Sequence, residues 1–186
     1  GEIEFDQKQS GMMDECVEVE FVTACTFDFV NNQGSPALAN ARILAITNLV
    51  AGLYAPFNLT YVVVEQFAPA NNAADPFTAS AQAEDMLFSM RDFAGPNMAN
   101  HDIGQLWTQR DIFGCGGAGT GLVGCAFTGV VCTQNRYSLI ENFVNNNNCL
   151  RTLSAHEIGH NFNAPHSGPG FIMSTPLNCG GTTFTG

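Results

Sequence analysis

The eleven residues His156-Glu157-Ile158-Gly159-His160-Asn161-Phe162-Asn163-Ala164-Pro165-His166 constrain this chain more than any others. Residues four apart on a helix share a face, so a helix here brings His156 and His160 together. Glu157 stands one position along, where its carboxylate can reach a water held between them. A sharp turn after His160 is then needed to return His166 to the same point. Three neutral imidazoles with one open position are the ligand set of a catalytic zinc rather than a structural one. Such an ion lowers the pKa of its water to about 7, and a carboxylate can then take the proton.

A bare His-Glu-x-x-His fixes three positions and recurs by chance as a surface helix with two solvated histidines. Here the third His follows six residues after the second, and Met173 follows seven later in Phe171-Ile172-Met173-Ser174. The chain has four His, and three lie in this motif. The fourth, His101, precedes a strand pattern and reads as a hydrogen-bonded structural residue. The extended pattern resembles the metzincin zinc endopeptidases, whose signature is H-E-x-x-H-x-x-G-x-x-H followed by a Met-turn. Asn163 stands where that signature has Gly. The position ends the helix in a left-handed turn, a conformation Asn tolerates best after Gly. Ser167 follows the third His as in matrixins, where adamalysins usually carry Asp.

The 186 residues suffice for one domain, expected over 1–186, with an acidic, loosely held lead-in over 1–15. A net charge of −11 with only six Lys plus Arg argues against nucleic acid or an anionic membrane as partner. No apolar run is long enough to span a bilayer, so no membrane insertion is expected. The seven Cys are Cys16, Cys25, Cys115, Cys125, Cys132, Cys149 and Cys179. None has a Cys-x-x-Cys spacing, and so many in a short chain point to disulfides and an oxidising compartment. Three bonds and one thiol without an internal partner are expected. Asn58-Leu59-Thr60 is a glycosylation acceptor pattern. Gly1 reads as a mature start, with a signal and pro-segment already removed.

Val17 to Cys25 alternates as a first strand. Asn31 to Gly34 reads as a turn, after which Ser35 caps a helix with Pro36 at its first position, running to about Tyr54. Leu59 to Phe67 is β-branched and forms a second strand. Ser80 is expected to cap another helix, with Ala83, Leu87 and Met90 inward and Gly95-Pro96 as its stop. Ile103 to Thr108 and Tyr137 to Phe143 read as strands, and Asn145 to Asn148 as a loop before the histidine helix. Gly114-Cys115-Gly116-Gly117-Ala118-Gly119 matches G-x-G-x-x-G, but a strand-like run follows rather than a helix. It therefore reads as a turn and not as a dinucleotide site. The order of elements is α/β with a mainly parallel sheet.

His101 to Thr108 and Gly124 to Cys132 are similar to the run before the zinc helix in adamalysins (reprolysins), and the likeness extends from about Ile43 to Met173. It implies a mixed five-stranded sheet with an antiparallel edge strand, two backing helices and an active-site helix. It assigns Zn2+ to His156, His160 and His166, the general base to Glu157, and an apolar floor to Met173. Leu122, Val123, Gly124, Cys125 and Ala126 become the edge strand to which a substrate peptide adds. It implies a secreted, monomeric endopeptidase acting on proteins or peptides through a zinc-bound water. Family members usually continue past the Met-turn into a helix, so with thirteen residues after Met173 a minimal or truncated catalytic domain is expected. A Cys132–Cys179 bond is also implied. The alternative is a non-catalytic metzincin-fold binding or adhesion domain, against which the intact Glu157 speaks. A zinc deaminase would instead use a C-x-x-C pair of ligands.

Overall fold

The alternating run Val17–Cys25 forms β1 in the computed structural model, which describes residues 17–117 and 119–184. The expected lead-in lies outside those residues. β1 sits inside a five-stranded sheet of order β2-β1-β3-β5-β4. The others are β2 (Leu59–Phe67), β3 (Ile103–Thr108), β4 (Gly124–Ala126) and β5 (Tyr137–Glu141). β1, β2, β3 and β5 run parallel, and β4 pairs antiparallel with β5 at the edge, with Cys125 opposite Leu139. The mixed sheet with its antiparallel edge is the one the family resemblance implies.

Successive strand side chains point to opposite faces, so each strand feeds two cores. Phe21, Ile103, Trp107 and Ile140 join one cluster with α1 (Phe27–Gln33), α2 (Pro36–Tyr54) and α4 (Asn147–Asn161). Val22, Ala24, Leu106 and Leu139 join the other with α3 (Ala83–Asn97). Ser35 caps α2, its Oγ accepting from Leu38 N at 3.2 Å, as read from the sequence. Ala39, Ile43, Ile46 and Val50 then face inward.

Several local expectations are corrected. The polar residues Asn31 to Gln33 end a short helix, α1, which closes on Gly34 at φ 95°. Burial of Phe29 and Val30 outweighs their turn-like composition. Gln82, not Ser80, caps α3, its side chain accepting from Asp85 N at 2.6 Å. α3 runs through Gly95-Pro96 to Asn97. β5 stops at Glu141 and α4 begins at Asn147 inside the polar run, capped by Asn146. The stretch Pro36–Phe57 is, at 22 residues, long and apolar enough by composition to cross a bilayer, contrary to the reading above. Its charged residues reduce to Arg42, but its apolar face packs against the sheet and α4.

The disulfide expectation is also overturned. Cys179 bonds Cys149, in the first turn of α4, and Cys115 bonds Cys125. The chain after Met173 runs back along α4, where Arg151 donates to Gly181 O at 3.1 Å and so brings Cys179 near Cys149. Cys132 is an exposed free thiol, its Sγ 3.3 Å from Asp102 Oδ1, and Cys25 is buried and free. Cys16 lies outside the described residues.

Candidate metal centre

α4 carries His156, Glu157 and His160 on its last turns, and its C-terminus decides where His166 goes. Asn163 has φ 70°. Its N–H donates to His160 O at 2.8 Å, and the Ala164 N–H donates to Gly159 O at 2.9 Å. This is a Schellman end with Asn at the left-handed position, where the sequence pattern called for Gly. The loop after β4 gives His160 O a second donor and meets Asn161 O. Gly129 N reaches His160 O and Val130 N reaches Asn161 O, both at 2.9 Å. The reversal returns the chain to α4 within three residues and presents His166.

The three imidazoles converge. His160 Nε2 lies 3.1 Å from His156 Nε2 and 3.2 Å from His166 Nε2. His156 Nδ1 donates to Ile172 O at 2.8 Å, and His160 Nδ1 donates to Ala164 O at 2.9 Å. A carbonyl can only accept, so both Nδ1 atoms carry the proton and both Nε2 atoms of the neutral rings present bare lone pairs. Lone pairs that face one another at such distances repel unless a cation lies between them. Tetrahedral zinc with bonds of 2.0–2.1 Å holds its nitrogens about 3.3 Å apart, so both distances from His160 fit that ion, and the ligand atoms of all three His lie within 4.8 Å of one another. Among the described residues, this is the one group of three or more His, Cys, Asp or Glu side chains close enough to share an ion. Burial pushes the His156 pKa down to about 4 and lowers that of His160, which keeps the rings neutral.

The segment holding Met173 locks this set from below. Ile172 O orients His156, and Met173 O accepts from Ser167 N, next to His166, at 2.8 Å. Met173 is 1% exposed, and its sulfur lies against Gly159, where a Cβ would stand 2.6 Å from Sδ. Ser174 Oγ accepts from Phe171 N at 2.9 Å and donates to Gly168 O at 2.8 Å, closing the turn. Ile172 O and Ala164 O were not singled out from the sequence, because backbone carbonyls leave no compositional trace.

Glu157 is 5% exposed, and burial raises its carboxyl pKa to about 8. It lines, with the three His, a cleft of about 730 Å³. Gly124, Cys125 and Ala126 form β4 on the cleft wall. Leu122 and Val123 also line the cleft but precede the strand, which is three residues long rather than the five expected. Val123 O still accepts from Glu141 N at 2.8 Å. His101 stands apart, with Nδ1 2.6 Å from Ala99 O and Nε2 3.0 Å from Tyr137 Oη.

No curated protein matches the chain. Among solved structures it is similar to a chain described as "Structure of a chaperone-substrate complex", at 14% identity and a TM-score of 0.65. The match covers 92% of this chain and 31% of that one, and shows a shared fold. Residues 40–167, well over half of the sequence, match the family described as Metallo-peptidase family M12B Reprolysin-like. With its mixed sheet and histidine cluster, this chain belongs to that reprolysin-like family of metallopeptidases.

Proposed function

We propose that the chain is a secreted zinc endopeptidase that hydrolyses internal bonds of proteins or peptides. The observation that carries this reading is the convergence of three imidazoles, with His160 Nε2 within 3.2 Å of both other Nε2 atoms and Glu157 in the same cleft. His156, His160 and His166 would hold the ion. When bound, zinc supplies Lewis acidity, polarising the scissile carbonyl and acidifying the attacking water.

The chain's own residues do the rest. Glu157 takes the water's proton and passes it to the leaving amine. Its buried carboxyl is held protonated by desolvation, and a dication among the imidazoles favours the ionised form the base requires. β4 pairs with β5 on one side only, so its outer edge offers backbone groups to an extended peptide. Met173 closes the floor with an apolar surface, and the Ile172 and Ala164 carbonyls fix two imidazole orientations. The disulfides support an oxidising compartment, hence secretion.

The test is digestion of a peptide library by purified protein, with and without a chelator. Cleavage should stop on chelation and return with zinc. Glu157→Gln should retain the metal and lose about 10²–10⁴-fold in turnover. Cleavage that ignores the chelator would contradict the reading.

A further inference from the structure

The wall and the base of the cleft meet at a glycine. Gly124 is the first residue of β4 and lies over Glu157 on α4. A Cβ built at Gly124 would stand 2.8 Å from Glu157 Cδ and 2.9 Å from Cγ, with Oε1 nearer still. Real Cβ atoms essentially never approach within 3.0 Å, so a side chain there forces something to move. Cγ and Cδ are not the free end of a long, loose side chain, since Glu157 is 5% exposed.

Conformational freedom does not explain the glycine. Gly124 is not among the positive-φ glycines, which include its neighbours Gly121 and Gly129. A strand position with ordinary backbone is where glycine is least favoured, and it commonly marks a close approach. The strand has little room to retreat. It is paired to β5 through Ile140, Leu139 and Ser138, and Cys125 is tied to Cys115. A Cβ at 124 would therefore displace mainly the carboxylate.

We propose that Gly124 is a positioning residue for the reaction: its missing side chain forms the notch that seats the Glu157 carboxylate. This rests on the reading of Glu157 as the base. One short strand then does two things. Its outer edge receives the peptide backbone, and its inner face sets the position of the base, so substrate and base share one reference.

The test is a cycle of four proteins: wild type, Gly124→Ala, Glu157→Ala and the double variant. In the metal-free proteins, Gly124→Ala should lower the melting temperature when Glu157 is present and have little effect when it is Ala. Equal losses in both backgrounds would overturn the contact. If Gly124→Ala fails to fold, the double variant should fold, and its failure would overturn the proposal too. In the zinc-loaded proteins, Gly124→Ala should keep one zinc per chain and a near-normal KM, while kcat falls about 100-fold, as a displacement of about 1 Å can do. An unchanged kcat would overturn the positioning role. Should wild type cleave no peptide, it is the peptidase reading that fails, and the melting cycle still decides whether the notch exists.

Discussion

His101 and the His156–His160–His166 cluster place the same side chain in two environments with opposite outcomes. His101 is 4% exposed and both its nitrogens are occupied, one by Ala99 O and one by Tyr137 Oη. His156 is 6% exposed, and only its Nδ1 finds a protein partner of opposite character, Ile172 O. Its Nε2 faces another bare Nε2. Burial alone does not distinguish a ligand from a structural histidine. What does is whether the second nitrogen has been given something to bond. In the cluster, the backbone satisfies one nitrogen of His156 and of His160, and the geometry reserves the other.

The largest effect is expected at the turn that leads to His166. Asn163 holds φ 70°, which a β-branched residue strongly resists. Asn163→Val should cost about 1–3 kcal/mol and pull His166 away, with a large drop in zinc affinity. Asn163→Gly should be neutral or mildly stabilising and keep zinc. Calorimetric zinc titration and melting curves measure both. Equal behaviour of Val and Gly would mean that this turn does not place the ligand.

A smaller effect is expected at the other histidine. His101→Ala leaves the hydroxyl of buried Tyr137 without its partner, at about 1–3 kcal/mol. For a chain of this size each kcal/mol lowers the melting temperature by about 2–4 °C. Zinc affinity should stay at the wild-type value, and a shift in it would blur the distinction between the two sites.

The remaining effects are in pH. Burial raises the folded pKa of Glu157 from its ordinary 4.5 to about 8. Its contribution to stability in metal-free protein is therefore complete below 4.5 and lost as pH rises to about 8. Burial lowers the His101 pKa below its ordinary 6.5, so stability there is present above 6.5 and declines as pH falls below it. Metal-free Glu157→Gln should accordingly gain melting temperature over wild type as pH rises from 5 to 8. A constant difference would show that Glu157 is not held neutral.

Long, clearly periodic segments were legible in the sequence. Val17–Cys25, Leu59–Phe67 and Ile103–Thr108 lie where alternation and β-branching place them. The histidine triad was legible because helix pitch fixes two of its members and one left-handed residue fixes the third. Helix α1 was not, because its polar end resembles a turn. Phe29, Val30 and the bond from Phe27 N to Asp75 Oδ2 at 2.8 Å hold it through tertiary contacts. The Cys149–Cys179 bond and the approach of Gly124 to Glu157 join residues 30 and 33 positions apart. Neither follows from any local pattern.

The decisive measurement is zinc content by elemental analysis, on wild type, His160→Ala and His101→Ala prepared side by side. Wild type and His101→Ala should hold one zinc per chain, and His160→Ala none at this site. Full zinc occupancy in His160→Ala, or active wild-type protein without zinc, would contradict the histidine zinc site.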